Sequence, residues 1–210
     1  MPKVTPFEEH SEQYEDWFTR HRWVYEAELR AVKSLLPEKG RGMEVGVGSG
    51  RFAAPLGIKI GVEPSSRLRR IAEERGLQVL DGVAEALPFD EAEFDFVLMV
   101  TVVCFVDDVD QSIQEAGRVL KKDGHLLIGL LDRESPLGRV YQKHQGENVF
   151  YQEATFFSVD EIVEVMRRAG FQDFQFRQTI FSDPSETTPD EPIRPGYGQG
   201  SFVVIRGGKT

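Results

Sequence analysis

The stretch that decides the fold of this chain is MEVGVGSG, residues 43–50. A short apolar run leads into alternate glycines, and a helical pattern begins at about Gly50, so a strand turns here into a helix. Alternate glycines allow a sharp turn and a close approach of a ligand, because no Cβ stands in the way. The helix that follows offers free N–H groups and the positive end of its dipole. The sequence therefore predicts a ligand-binding loop after the first strand.

The spacing of the glycines distinguishes between ligands. A dinucleotide fingerprint requires Gly-x-Gly-x-x-Gly, and counted from Gly46 and Gly48 its third glycine position holds Arg51. A nucleotide-dependent oxidoreductase is therefore an alternative that Arg51 disfavours. The pattern present is Glu-x-Gly-x-Gly-x-Gly, which begins at Glu44. It resembles motif I of the S-adenosylmethionine-dependent methyltransferases with the seven-stranded α/β fold.

Three later segments resemble the same family, in the family's order. Residues 60–65 (IGVEPS) place Glu63 at the end of a second strand, where a carboxylate can accept hydrogen bonds from both ribose hydroxyls. Residues 81–89 (DGVAEALPF) resemble the segment beside the adenine, and residues 94–101 (FDFVLMVT) resemble the strand that ends near the methionine portion. The resemblance implies that S-adenosylmethionine is the cofactor and S-adenosylhomocysteine the product. The cofactor-binding residues it implies are Glu44, Gly46, Gly48, Gly50, Glu63, Pro64, Val83, Ala84, Val100 and Thr101.

One position departs from the family pattern. Val83 stands where the family has the Asp that contacts the adenine amine. The adenine would then be contacted by backbone groups of Val83 and Ala84, or by the side chain of Asp81 instead.

The alternation of strands and helices after Met43 predicts an α/β fold with a doubly wound, mostly parallel sheet and helices on both faces. The last two strands, 171–181 and 201–205, have no helix between them, so we expect them to pair antiparallel. The resemblance implies seven strands in the order 3-2-1-4-5-7-6. Apolar residues at helical spacing predict one helix over 12–36. With no long linker, the chain reads as a single domain, residues 1–210, comprising an N-terminal helical cap (1–40), a cofactor-binding half (41–131) and an acceptor-side half (132–210) with an aromatic insert (132–157).

The composition limits the classes of partner. Lys and Arg number 25 against 35 Asp and Glu, which gives a net charge of −10. A surface of this sign repels phosphate backbones and anionic lipids, so we expect neither nucleic acid nor a membrane as partner. The single cysteine, Cys104, excludes an intrachain disulfide and a cysteine-based metal site, and we expect no metal. Since no apolar signal segment opens the sequence, we expect a cytoplasmic protein.

Aromatic residues are concentrated in two segments that can cover the carboxyl edge of the sheet, where ligands bind in open α/β folds. The first is the predicted N-terminal helix and the second is the insert at 132–157. An aromatic cage suits a flat or cationic acceptor, because cation–π attraction can orient a basic amine. The alternative is that the rings only pack the cap onto the domain. The residues predicted to contact the acceptor are Tyr14, Trp17, Phe18, Tyr141 and Tyr151.

His21 and His144 are the candidates for a general base, because an unperturbed histidine titrates near neutrality. The alternative for each is a structural or solvent-facing role. Methyl transfer from a sulfonium is an in-line displacement that mainly requires alignment and exclusion of water, so no dedicated nucleophile is needed. Cys104 is accordingly interpreted as a packing residue.

The resemblance also narrows the acceptor. Enzymes that methylate amino groups of DNA or of protein glutamine carry N/D-P-P-Y after the fourth strand, whereas residues 100–103 are VTVV. Residues 135–157 and the pattern Tyr14-x-x-Trp17-Phe18-x-x-His21 resemble small bacterial methyltransferases of the ubiquinone/menaquinone-biosynthesis type. The sequence thus predicts methyl transfer to an oxygen, nitrogen or carbon atom of a small molecule, with an aromatic or amine acceptor favoured. A non-catalytic regulatory module that binds S-adenosylmethionine is the alternative, and the oligomeric state stays open.

Overall fold

The protein is built on one mixed β-sheet, seen in a computed structural model that describes residues 3–210. The strands are Gly42–Val45 (β1), Ile60–Val62 (β2), Gln78–Leu80 (β3), Phe94–Val100 (β4), Leu120–Leu131 (β5), Phe171–Thr179 (β6), Arg194–Pro195 (β7) and Phe202–Lys209 (β8). Their order across the sheet is β3-β2-β1-β4-β5-β8-β6-β7. Strands β1 to β5 pair in parallel, and β8 runs antiparallel to both β5 and β6. The predicted α/β fold with an antiparallel end is confirmed.

The sheet differs from the expectation by one strand. Apart from β7, the order across the sheet is the one that the resemblance implies. Strand β7 contains only two residues and pairs antiparallel with Arg177 and Gln178 of β6 at the outer edge. Its Pro195 has no N–H to donate, which suits an edge position. The segment from 182 to 200 reads as a loop because so short a strand has no alternating pattern.

Helices cover both faces of the sheet. They span Thr5–Glu9 (α1), Ser11–Arg20 (α2), Arg22–Lys33 (α3), Ala53–Leu56 (α4), Ser66–Glu74 (α5), Val109–Val119 (α6), Pro136–Lys143 (α7) and Val159–Arg168 (α8). Alternate residues of β4 belong to two separate cores. Val97 and Met99 pack with residues of α6 and α8, whereas Phe96 and Leu98 pack with residues of α3. Both faces of the central strand are therefore buried, as its continuous apolar sequence predicts.

The single helix predicted over 12–36 is wrong in detail. The backbone leaves the helical region at His21, with φ −112° and ψ 42°, so α2 ends at Arg20 and α3 begins at Arg22. The imidazole stacks on Trp17 at 5.1 Å and its Nδ1 lies 3.2 Å from the Trp17 carbonyl oxygen, which stabilises the bend. Helix α1 precedes the expected start and is too short to show a periodic pattern.

The aromatic insert folds as α7 followed by a 3₁₀ turn at Gln145–Glu147. Ser135 caps α7, because its hydroxyl accepts a hydrogen bond from the N–H of Gly138 at 3.0 Å. Over residues 3–210, no helix is both long and apolar enough to cross a membrane.

Helix α8 begins with a capping box at Ser158. The Ser158 hydroxyl accepts from the N–H of Glu161, and the Glu161 carboxylate accepts from the N–H of Ser158 at 2.8 Å. We expect Ser158→Ala to lower the free energy of unfolding by about 1 kcal/mol, measured by urea denaturation. Ser158→Thr keeps a capping hydroxyl and should lose less. Equal stability of the wild type and the Ala variant would contradict a stabilising role of the cap.

Candidate active site

The glycine-rich loop turns at the carboxyl end of β1 through backbone conformations that glycine favours. Gly46, Gly48 and Gly50 have φ values of 62°, 54° and 83°. A Cβ on Gly48 would lie 2.7 Å from the phenolic oxygen of Tyr14. The loop is therefore closely packed beneath a cap residue as well as sharply turned.

Unlike Gly46 and Gly48, Gly50 faces α5 rather than a cavity. A Cβ at this position would meet Ala72 of α5 and Leu77, each at 3.4 Å. Gly50 lines neither of the two cavities described below. A glycine is required at this position by the turn and by close packing against α5. The structure does not bring Gly50 to the predicted cofactor site.

Glu63 connects the end of β2 to this loop. Its buried carboxylate accepts hydrogen bonds from the N–H groups of Gly48 and Ser65, both at 2.9 Å. Burial raises the pKa of Glu63 to about 7, although these two hydrogen bonds act in the opposite direction. An ionised carboxylate offers about four lone-pair sites, so acceptor capacity remains for a ligand.

A cavity of about 110 Å³ lies beside Glu63. All the predicted cofactor residues except Glu44 and Gly50 line it. These are Gly46, Gly48, Glu63, Pro64, Val83, Ala84, Val100 and Thr101. The side chain of Asp81, considered above as a contact to the adenine, instead forms an ion pair with Arg69 at 2.8 Å. Of this segment, Gly82, Val83, Ala84 and Glu85 line the cavity.

Thr101 stands where β4 ends, in a conformation unusual for a β-branched residue. Its φ is 53°, and its hydroxyl donates to the carbonyl of Val100 at 2.8 Å. Such left-handed backbone costs about 1–3 kcal/mol and is concentrated at functional sites. Thr101 lines both the small cavity and a second, larger one.

The larger cavity has a volume of about 400 Å³ and lies beneath the N-terminal helices and the insert. Glu44, Gly46 and Val100 form part of its floor at the carboxyl ends of β1 and β4. The aromatic residues predicted to contact the acceptor all line it, together with His21. They are Tyr14, Trp17, Phe18, Tyr141 and Tyr151. Gly46, Tyr14 and Thr101 also line the small cavity, so the two cavities share a wall.

Ring contacts join the N-terminal cap to the insert over this wall. Phe150 of the insert lies 5.4 Å from Phe7 and 6.3 Å from Tyr14. Phe105, which follows β4, stacks on Tyr151 at 6.1 Å. The two aromatic segments therefore meet over the strand ends, and the rings also pack against one another.

Glu15 attaches the cap to the glycine-rich loop. Its carboxylate binds Arg51 and Arg75, each at 2.5 Å, and the hydroxyl of Ser49. Burial raises the pKa of Glu15, but the hydrogen bonds from Arg75, Arg51 and Ser49 lower it below its ordinary value overall. Arg51, at the position that breaks the dinucleotide fingerprint, thus pairs with the cap.

Two titratable side chains at or next to the wall shared by the two cavities have raised pKa values. Burial, with the nearby charges of Glu63 and Glu44, raises the pKa of Tyr14 well above its ordinary value. Burial also raises the pKa of the Cys104 thiol to about 12. Cys104 donates to the Thr101 carbonyl at 3.3 Å. A thiol with so high a pKa is a poor nucleophile at neutral pH.

The two candidate bases are separated by the structure. His21 lies in the wall of the large cavity, against Trp17. His144 lies outside both cavities. Its side chain is half exposed and its Nδ1 lies 3.1 Å from the carboxylate of Glu147. Of the two, only His21 lines a cavity.

Several residues of the site have no sequence motif to identify them. Lys3, Val4 and Phe7 line the small cavity from the segment before α2, where no periodic pattern exists. Glu28 lines the large cavity from α3. Its signal is a carboxylate on the same helix face as Tyr25 and Val32, at three- and four-residue spacing.

Comparison with known proteins identifies the family. Residues 43–128 match the family described as a methyltransferase domain. The solved structure of an S-adenosylmethionine-dependent methyltransferase from Thermotoga maritima, described as a possible histamine N-methyltransferase, is 55% identical. Its TM-score is 0.96, and the match covers 98% of this chain and 99% of that one. This chain belongs to the S-adenosylmethionine-dependent methyltransferases.

Two further relatives match this methyltransferase at lower sequence identity. An uncharacterized protein of Methanocaldococcus jannaschii is 42% identical over 95% of this chain and 96% of its own length. A demethylmenaquinone methyltransferase of Staphylococcus carnosus is 24% identical over 70% of this chain and 75% of its own length. The predicted family and cofactor are therefore confirmed.

The residues present fit this cofactor. One oxygen of Glu44, Oε2, is buried and has no hydrogen-bond partner within residues 3–210. Burial raises the pKa of Glu44 well above its ordinary value. A buried acceptor without a partner is costly unless a ligand supplies a donor. Gly46 and Gly48 of the loop beside it line the small cavity.

Glu63→Gln tests the ribose contact. It preserves the shape of the side chain but removes the charge, so we expect cofactor binding to weaken by about 1.5–3 kcal/mol, measured by calorimetric titration. Wild-type affinity should also rise with pH through about 7, since the protonated carboxyl loses acceptor capacity, and this dependence should be absent in the variant. Asp81→Asn is the control and should bind normally. Unchanged affinity in Glu63→Gln would mean that Glu63 does not contact the cofactor.

Gly48→Ala separates backbone strain from local contact. Alanine at a φ of 54° costs about 1–2 kcal/mol of stability, and its Cβ also meets the Tyr14 hydroxyl. Gly57→Ala is a matched control, because Gly57 has a φ of 77° and nothing within 4 Å of the added Cβ. We expect both variants to lose stability in thermal melts, but only Gly48→Ala to lose cofactor affinity. Adding Tyr14→Phe should restore part of the lost stability. Equal affinities in both glycine variants would contradict this assignment.

Proposed function

We propose that this methyltransferase acts on a small-molecule acceptor that binds in the large cavity. Residues of the small cavity, together with Glu44 at the floor of the large one, hold S-adenosylmethionine. The observation that carries the proposal is the wall shared by the two cavities, at Gly46, Tyr14 and Thr101. A methyl group that moves from a ligand in one cavity to a ligand in the other has to cross at these residues.

The size and position of the large cavity favour a small acceptor. Its volume of about 400 Å³ falls within the usual range for small-molecule sites, about 300–1,000 Å³. The cap and the insert cover it, whereas a nucleic acid would need an open and basic surface. The net charge of −10 opposes such a surface. The relatives' names point the same way, since both histamine and demethylmenaquinone are small molecules.

When bound, S-adenosylmethionine supplies an electrophilic methyl group carried on a sulfonium sulfur. In this proposal Glu63 accepts the ribose hydroxyls, and the unpaired oxygen of Glu44 accepts from the cofactor's ammonium. Tyr14 retains its proton and presents a neutral hydroxyl at the shared wall. The rings of the cap exclude water, which strengthens electrostatic contacts in the site and prevents competing reactions.

The experiment that tests the proposal is an assay for S-adenosylhomocysteine with a library of small metabolites as acceptors. Release of the product with one chemical class of metabolite supports it. Cofactor binding without release across the whole library would favour the regulatory module.

Leu137→Trp tests whether the acceptor occupies the large cavity. Leu137 of α7 lines this cavity and not the small one, so the larger side chain should displace the acceptor. We expect kcat/KM with the acceptor found above to fall on the order of 100-fold, while the Kd for S-adenosylhomocysteine stays unchanged. Val140→Trp is the matched control, because Val140 is on the same helix but 53% exposed. Full turnover in Leu137→Trp would place the acceptor elsewhere.

A further inference from the structure

One face of α3 contributes a carboxylate to a cavity otherwise rich in aromatic rings. His21, Val24 and Glu28 follow one another at helical spacing and all line the large cavity. Glu28 is partly buried, and a charged residue withdrawn from water normally has a partner. Among residues 3–210, however, no hydrogen bond or ion pair engages the Glu28 side chain.

Two other acidic residues of the cap, by contrast, have arginine partners. Glu26 forms an ion pair with Arg22 at 2.7 Å on the outer side of the same helix. Glu15 is held by two arginines. Burial raises the pKa of Glu28 to about 8, with no opposing hydrogen bond or cation. A carboxyl group in this position is costly in the free protein and is stabilised by a ligand that supplies a donor or a positive charge.

The groups around Glu28 fit a cation. Glu28 lines the same cavity as Tyr141 and Tyr151, and its charge adds to the effect of burial in raising the pKa of both phenols. Trp17 and His21 complete the nearby aromatic wall, stacked on each other at 5.1 Å. Aromatic faces attract ammonium groups, and a carboxylate adds charge-assisted hydrogen bonds to the same ligand.

We propose that Glu28 binds the ammonium group of a small primary or secondary amine in the large cavity, and that this amine nitrogen is the atom methylated. The inference rests on the proposed function and specifies its acceptor. Nothing in the cofactor motifs selects this class of acceptor, because Glu28 lies on the cap, outside residues 43–128.

The proton balance of the reaction gives Glu28 a second task. An ammonium nitrogen has no lone pair, so the bound amine first transfers one proton to the Glu28 carboxylate. The neutral nitrogen then forms a bond to the methyl carbon while the methyl–sulfur bond breaks, and the bonding pair stays on sulfur. The products are a methylated ammonium ion and S-adenosylhomocysteine, and Glu28 later releases its proton to solvent. Burial raises the pKa of Glu28 above that of an ordinary glutamate, which brings it nearer to that of an alkylammonium and favours this transfer.

The test uses binding as well as turnover. The full-length chain, saturated with S-adenosylhomocysteine, is titrated calorimetrically with 2-phenylethylamine, histamine and butylamine. The neutral isostere 2-phenylethanol and the anion phenylacetate serve as comparisons. We expect at least one amine to bind more tightly than both comparisons. Glu28→Gln should weaken amine binding roughly 10- to 100-fold while leaving 2-phenylethanol within about threefold.

Two controls keep the result interpretable. Glu26→Gln removes one charge from the same helix outside the cavity, and it should bind amines as the wild type does. S-adenosylhomocysteine affinity should be unchanged in Glu28→Gln, and the thermal midpoint should be equal or higher, since the variant removes a carboxyl group that has no partner. Glu28→Asp, which keeps the charge one methylene farther away, should retain part of the amine preference if Glu28→Gln proves unstable.

Two outcomes would overturn the inference. One is equal amine affinity in the wild type and Glu28→Gln. The other is a metabolite assay that yields only neutral or anionic acceptors, which leaves the proposed function intact and assigns Glu28 another role. By contrast, failure of every metabolite to release S-adenosylhomocysteine would count against the proposed function itself.

Discussion

The fold and the site both depend on how the chain turns at the carboxyl end of β1. Gly46 and Gly48 adopt positive φ there, and the N–H of Gly48 donates to the buried carboxylate of Glu63 at the end of β2. One hydrogen bond thus fixes the loop against the neighbouring strand and keeps a titratable group in place beside the small cavity. Burying that carboxyl group is costly, and the N–H groups of Gly48 and Ser65 offset part of the cost.

The same loop also determines where the cap lies. Glu15 of α2 binds Arg51, Arg75 and Ser49, so the loop that borders the small cavity also holds the helices that cover the large one. The ion pairs of Glu15 matter more for orienting the cap than for stabilising the fold, because partly exposed ion pairs contribute little free energy. Thr101, in its strained conformation, occupies the point where both cavities meet.

Residues near one another in sequence were predictable, and contacts between distant segments were not. The glycine spacing and the position of Glu63 after a strand depend on local geometry, so the sequence alone indicates them and the family they resemble. The partner of Arg51 lies 36 residues away, and no local pattern encodes that pairing. The break at His21 was not predictable either, because the apolar spacing of 12–36 continues through it. Glu28 had a local signal, because it is a carboxylate on an apolar helix face. The role proposed for it, however, depends on the insert that folds over that face.

The most direct test is a crystal structure with S-adenosylhomocysteine bound. We expect the ribose hydroxyls within hydrogen-bond distance of Glu63 and the homocysteine ammonium at the unpaired oxygen of Glu44. The sulfur should then face the large cavity beside Tyr14 and Thr101. A cofactor whose ribose or adenine lies in the large cavity, or one that makes no contact with Glu63, would contradict the separation of the donor and acceptor sites.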